Sequence, residues 1–197
     1  MENKKLKRGQ EIKLTISDLA FGGRGISKED DLVFFVKDAI PNQDVIAKIS
    51  KIKKNYVEAY SIETIKKSKD QVDPPCEHFE WCGGCTTQQL DYQKQLHFKQ
   101  KQISDILNKI AGEKDLDINP IIGCEQTFFY RNKMEYTFSR VPWYIGDESY
   151  DDIVIGLHVP KRFDKILSIN KCHINHDVFN DILKISKEIT IKEKMVP

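Results

Sequence analysis

Apolar and polar residues alternate through the first third of the chain. Ile12, Leu14 and Ile16 alternate with Glu11, Lys13 and Thr15, the two-residue period of a half-buried strand. Leu32 to Val36 is a compact apolar run. Val45 to Lys53 and Tyr56 to Ile62 read as a hairpin across Lys54-Asn55. Phe21-Gly22-Gly23-Arg24-Gly25 and Ala39-Ile40-Pro41-Asn42 read as tight turns. This succession of short strands predicts a small OB-like all-β barrel over residues 1–62.

Residues 63–75 carry a lysine run and end in Asp73-Pro74-Pro75, which reads as a linker because paired prolines continue neither helix nor central strand. The period then changes. Leu90, Tyr92, Leu96, Ile103, Ile106, Leu107 and Ile110 recur at helical spacing, with a Thr86-to-Gln89 capping box in front and Gly112 as a stop. Lys94 and Lys101 fall on the other side of this long amphipathic helix, whose apolar stripe needs a partner surface. Alternation returns at Met134, Tyr136 and Phe138, again at Ile153, Ile155, Leu157 and Val159, and a third strand runs from Ile166 to Ile169. The acidic stretch Asp147 to Asp152 reads as an exposed loop, and Asp177 or Asn180 as the cap of a last helix through Ile182, Ile185 and Ile189. Residues 76–197 are therefore expected to form an α+β region, and the chain as a whole to be of mixed class.

The 197 residues carry 31 basic and 30 acidic side chains, a net charge of +1, with 40% hydrophobic residues. These values exclude a collagen-like or acidic disordered chain. No apolar run reaches membrane-spanning length and the charged N-terminus is not a secretory signal, so the expectation is a cytoplasmic protein with no membrane partner. Residues 1–70 carry +4 and residues 71–120 carry −3. Lys51, Lys53, Lys54, Lys66, Lys67 and Lys69 lie together in sequence, which suits either a phosphate track or an ordinary solvated surface. Phe21, Arg24, Phe34, Phe35, Lys51 and Lys53 can supply a nucleic-acid-binding face, although at least one of the two adjacent phenylalanines is expected in the core.

Three of the five cysteines form a C-x5-C-x2-C triplet, Cys76, Cys82 and Cys85. A C-x2-C turn lets two thiolates converge on one centre, and Gly83 and Gly84 let backbone N–H groups turn toward the sulfurs. A fourth donor comes from Cys172, at a turn between strand and helix, or from Cys124, whose more apolar setting suits a buried thiol. Zinc is one candidate, with His78, His173 and His176 as further ligands. Three clustered cysteines plus a distant one is the commoner arrangement for a [4Fe–4S] cluster. The spacing is not the C-x3-C-x2-C of radical-SAM enzymes.

The glycine-containing barrel, the Pro-Pro-Cys start of the triplet, the glutamine-rich helix, the run Tyr130-Arg131-Asn132-Lys133-Met134-Glu135 and the distant Cys172 together resemble the SAM-dependent RNA uracil-5-methyltransferases. Phe21-Gly22-Gly23-Arg24-Gly25-Ile26 and Val33-Phe34-Phe35-Val36 match the pattern of that family's TRAM domain, from about Gly9 to Ile62. The family has Pro-Gly-Glu where this chain has Pro41-Asn42-Gln43. The resemblance to the iron–sulfur branch, which acts on large-subunit (23S) ribosomal RNA, implies Cys76, Cys82, Cys85 and Cys172 as ligands of a [4Fe–4S] cluster and Cys124 as a bystander. It implies RNA as partner, with Phe21, Arg24, Lys51, Lys53, Lys54, Arg131 and Lys133 as contact candidates.

In that family the nucleophilic cysteine, the base and the SAM loop lie in a C-terminal domain, and the long helix packs against it. Gly22-Gly23-Arg24-Gly25 neither follows a buried parallel strand nor opens a helix, so it is not a SAM loop. The chain is accordingly expected to be an N-terminal portion, with no catalytic residue of its own, whose missing catalytic domain is both its partner and the holder of SAM. A non-enzymatic zinc- and RNA-binding module is the alternative.

Overall fold

The computed structural model describes residues 6–112, 116–145, 153–160 and 162–195. The chain divides into two compact units that interleave in sequence. One takes in the chain up to Asp73 and Gln89–Gly123; the other takes in Pro74–Gln88 and Cys124 onward. The sequence expectation drew consecutive segments instead, with the helix on the side of the cysteines. The predicted acidic loop at Asp147 to Asp152 lies outside the described residues.

The first unit is built on six strands: β1 Glu11–Thr15, β2 Asp18–Leu19, β3 Gly25–Glu29, β4 Leu32–Lys37, β5 Asp44–Ile52 and β6 Tyr56–Lys66. They form one sheet in the order β1-β5-β6-β4-β3-β2, antiparallel except for the β4–β6 pair. Alternation predicted these strands because one face is buried. Leu14, Ile16, Phe34, Val36, Val45, Ala47, Ile49, Val57 and Ala59 pack together as one core. A single sheet buries so many of its own side chains against one another only by curling around them. Strand β6 runs through Lys66 and takes in the start of the expected linker, because Thr64 and Lys66 still have partners on β5. That length separates the lysines. Lys51, Lys53 and Lys54 lie at the β5–β6 turn and Lys66 at the far end of β6, about 30 Å away at the usual rise per residue, so they are two groups rather than one track.

Helix α1, Tyr92–Ile106, belongs to this unit and continues as a π-helical turn, Leu107–Ala111, to Gly112 in the left-handed conformation. Its cap is Asp91, whose side chain accepts from the N–H groups of Gln93 and Lys94, and not the expected Thr86. The face that packs is not the stripe from Leu96 to Ile110, which the family resemblance leaves without its partner in this chain. Phe98 is buried with Leu19, Ile40 and Leu90. Beside it Lys101 bonds Asp18 at 2.6 Å, Gln102 donates to the Leu19 carbonyl at 2.9 Å and Lys94 pairs with Asp70. Ile103, Ile106 and Ile110 are exposed. A Phe98→Ala change should therefore cost about 3 to 5 kcal/mol by urea denaturation, the range for emptying a buried phenylalanine site. An unchanged midpoint would mean that Phe98 does not hold the helix.

The second unit carries a four-stranded sheet of β7 Thr137–Ser139, β8 Pro142–Trp143, β9 Val154–Val159 and β10 Arg162–Ser168, in the order β7-β9-β10-β8. The expected strand from Met134 shortens to β7, because pairing with β9 begins only at Thr137. Helix α2, Asp177–Lys192, is capped by His176, whose ring nitrogen accepts from the Val178 N–H; neither Asp177 nor Asn180 does this. The core joins Ile155, Val159, Leu167, Ile169 and Leu183. The expected stripe Ile182, Ile185 and Ile189 is exposed.

Candidate metal centre and nucleic-acid face

The cysteine triplet lies on an irregular loop. Its turns are closed by Phe79 and Cys82 N–H groups donating to the carbonyls of Cys76 and His78. Cys172 lies just past β10, held by Asn180, whose side chain accepts from the Cys172 N–H at 2.9 Å and donates to its carbonyl at 3.2 Å. Asn180 does not cap α2 because the helix already begins three residues earlier, at Asp177. Cys76, Cys82, Cys85 and Cys172 line one cavity with His78, His173, Gln88, Met134, Leu157 and Ile174. The cavity holds about 20 Å³, roughly one water molecule. Among the described residues no three Cys, His, Asp or Glu side chains stand close enough together to hold a metal ion. The cysteines thus share a cavity without closing on a single point.

Burial pushes the Cys82 thiol up to about 11, against a hydrogen bond from the Gly84 N–H at 3.3 Å, and the charges of Cys85, Cys76 and Cys172 add to the rise. Burial also raises Cys76, with a counteracting bond from the His78 N–H, and Cys85, with counteracting contributions from the Gln88 side chain and Arg131. These mutual charges are the electrostatic mark of thiols gathered in one place. The folded values lie above the ordinary thiol value, so the fold disfavours the thiolates. The metal-free, reduced chain should keep full stability below about pH 9 and lose it as pH rises toward 11. A melting temperature that stays flat or rises over that range would contradict this. Thiolate ligation at neutral pH must then release the protons of Cys76, Cys82 and Cys85, so metal affinity should climb with pH.

Cys124 is exposed and donates to the Gln126 carbonyl at 3.0 Å, in place of the expected buried setting. His78 is buried and accepts from the Asn170 N–H at 3.1 Å, so one of its ring nitrogens is already engaged. His176 is exposed, caps α2 and does not line the cavity. Sequence reasoning missed Tyr136, Gln88 and Asn180. Gln88 follows Cys85 on the same loop, whereas only the returning chain brings Tyr136 and Asn180 to Cys172.

Arg131 and Lys133 divide by role. The Arg131 backbone pairs with the segment after Cys172, its N–H donating to the Ile174 carbonyl at 2.8 Å and its carbonyl accepting from His176. Lys133 is exposed and bonds Glu135 at 2.8 Å.

In the first unit Phe21 is 80% exposed at its glycine turn, where Gly22 and Gly23 take positive φ. Arg24 lies 3.8 Å from Glu58, and Lys51, Lys53 and Lys54 are exposed. Phe34 is core, whereas Phe35 is half-buried and meets Tyr56 edge to face at 5.6 Å. Tyr60, missed by sequence, stands between Lys37 and Lys48 on the neighbouring strands and is partly exposed. The outward side of β4, β5 and β6 therefore interleaves aromatic rings with lysines, which suits base stacking and phosphate contact.

Residues 5–60 match the TRAM domain family. An uncharacterised RNA methyltransferase of Bacteroides thetaiotaomicron is 39% identical over 170 residues, covering 83% of this chain and 37% of that protein. Those of Porphyromonas gingivalis and Clostridium acetobutylicum are 32% and 35% identical over 91% and 92% of this chain, and 41% and 38% of theirs. The crystal structure of Pyrococcus abyssi tRNA (uracil-54, C5)-methyltransferase with S-adenosyl-L-homocysteine superposes with a TM-score of 0.61 at 22% identity, over 93% of this chain and 37% of that one. At that identity the likeness concerns the fold. This chain therefore carries a TRAM domain and is a homologue of the RNA methyltransferases, spanning 37% to 41% of the length of these curated relatives.

Proposed function

We propose that this chain is the RNA- and [4Fe–4S]-binding N-terminal portion of a SAM-dependent RNA (uracil-5-)-methyltransferase acting on 23S ribosomal RNA. The observation that carries the reading is the gathering of Cys76, Cys82, Cys85 and Cys172 on one cavity in a homologue of RNA methyltransferases. A single tetrahedral zinc, with Zn–S near 2.3 Å, requires sulfurs about 3.8 Å apart. The support for the cluster is the donor set, four cysteines lining one cavity, and not a preformed metal geometry. Cys76, Cys82 and Cys85 on the loop and Cys172 after β10 would hold the cluster, which would link that loop to the Cys172 turn.

The curled first sheet is read as the OB-like barrel of the TRAM domain, with Phe21, Phe35, Tyr56 and Tyr60 as stacking groups and Arg24, Lys51, Lys53 and Lys54 as phosphate contacts. Among the described residues no glycine loop joins a parallel strand to a helix N-terminus; the segment from β10 to α2 has none. SAM binding and the catalytic groups are therefore assigned to a domain outside these residues.

Elemental analysis of anaerobically purified chain tests the cluster. About four irons per chain are expected, and stoichiometric zinc without iron would instead favour the zinc-binding reading, with His78 and His173 at the cavity. RNA binding is tested by salt titration. Replacing Lys51, Lys53 and Lys54 by alanine should flatten the log affinity–log salt slope by about 2, at roughly 0.7 per lost single-strand phosphate contact. An unchanged slope would remove these lysines from the RNA face.

A further inference from the structure

Phe128, Phe129 and Tyr130 are consecutive aromatic residues of the second unit, and they meet different fates. Phe128 and Phe129 are half-buried, with their rings 6.5 and 6.2 Å from that of His173, and Lys171 lies over the Phe129 ring at 5.7 Å. Tyr130 is 62% exposed, and among the described residues its ring and hydroxyl have no partner. The backbone fixes this arrangement. The Phe129 N–H donates to the His173 carbonyl at 2.9 Å, the Arg131 N–H to the Ile174 carbonyl at 2.8 Å, and the His176 N–H to the Arg131 carbonyl at 3.2 Å. Tyr130 therefore sits mid-way along a short ladder anchored on both sides. Phe129 has a φ of +57°, a left-handed conformation that a bulky residue holds only under constraint. The ladder and the contacts with His173 and Lys171 supply that constraint.

The charges beside the ring narrow what it can hold. Lys133 and Lys171 are each matched by a carboxylate, Glu135 and Asp177. Arg131 is exposed, its guanidinium meets the Met134 sulfur at 3.6 Å, and among the described residues it forms no ion pair. An unmatched cation adjoining an unmatched ring suits single-stranded nucleic acid, which offers a phosphate and a base face together. A protein partner would call for apolar surface around the ring, and Asn132, Lys133 and His176 are exposed polar residues. A tyrosine ring turns about few bonds, so one on an anchored backbone gives up little freedom when it stacks. We propose that Tyr130 is a stacking residue for one unpaired base of RNA, with Arg131 on the adjoining phosphate. The proposal rests on the RNA-binding reading above and is independent of the cluster. Stacking carries no net charge, so loss of the ring lowers affinity alike at every salt concentration, unlike loss of a phosphate-binding lysine.

The test compares Tyr130→Ala, Tyr130→Phe and Phe163→Ala in the full chain. Each is titrated across a salt series with a single-stranded RNA oligomer carrying a fluorescent adenine analogue, whose emission is quenched by stacking. Phe163 is 83% exposed in the same unit and controls for the loss of any surface ring. Tyr130→Ala should bind about tenfold more weakly, keep the wild-type log affinity–log salt slope and relieve the quenching. Tyr130→Phe keeps the ring and should match the wild type, as should Phe163→Ala. Should the alanine variant fail to fold, Tyr130→Leu, which keeps bulk without a flat face, takes its place. Wild-type affinity and quenching in Tyr130→Ala would overturn the inference while leaving RNA binding intact. An equal loss in Tyr130→Phe, which points to the hydroxyl, or in Phe163→Ala would also overturn it. A wild-type chain that binds no RNA would overturn both the inference and the reading beneath it.

Discussion

A Cys85→Ser chain should purify without iron, while Cys124→Ser should carry the wild-type amount. Cys85 lines the cavity with three other thiols, and burial together with the Cys172 charge raises its pKa against the Gln88 hydrogen bond. Serine keeps the shape but offers a hard hydroxyl that ionises far less readily than a thiol. Soft thiolates hold iron–sulfur clusters, so the change removes one of four bonds and leaves a corner open to solvent. Cys124 is exposed, bonded to the Gln126 carbonyl and absent from the cavity. Iron and acid-labile sulfide assays on both variants decide the matter. Full retention by Cys85→Ser, or loss from Cys124→Ser, would reverse the assignment of ligand and bystander.

Gly156→Ala should collapse the second unit. Gly156 sits opposite Ser168 in the β9–β10 pair, and a Cβ there would fall on the Leu167 carbonyl oxygen, with the Leu167 carbonyl carbon at 2.8 Å and the Ile169 nitrogen at 3.0 Å. All of these are backbone atoms of a paired strand, so they cannot swing aside. The expected loss exceeds about 4 kcal/mol, in the range reserved for a broken core. Strand β10 leads directly to Cys172, so metal retention should fall with stability. Gly22→Ala is the contrast: its φ is +86°, its surroundings are open, and the left-handed backbone alone should cost about 1–2 kcal/mol. Urea midpoints of the two variants measure the difference. A wild-type midpoint for Gly156→Ala would mean that β9 and β10 do not pair in this register.

Much of the fold is legible in the sequence because strand alternation is a local property. Each of Leu14, Phe34, Val45 and Val57 falls in a predicted strand and ends in the shared core. The helices are legible as helices for the same reason, but their orientation is not. On α1 the apolar stripe is exposed, as the resemblance implied for a chain without the catalytic domain, but nothing in the sequence marked Phe98, with Lys101 and Gln102 beside it, as the face that packs. Periodicity states that a face is apolar; it does not state which surface the chain brings against it. The caps failed likewise. Thr86 and Asp177 have suitable side chains, but the turns preceding the helices place Asp91 and His176 at the first free N–H groups.

The site divides along the same line. Spacing along the chain alone marked Cys76, Cys82 and Cys85, because ligands of one loop must be near neighbours, and the family pattern added Cys172. The sequence likewise determined the strands, the glycine turns and the separation of a basic first segment from an acidic middle. Tertiary structure alone decided that Cys172 shares a cavity with the triplet, that Asn180 holds the Cys172 turn, and that the lysines of β5 and β6 fall at opposite ends of one strand. Such placements depend on how distant segments return and pair. Backbone hydrogen bonds and burial summed over the whole unit set that return, and no local run of residues encodes it.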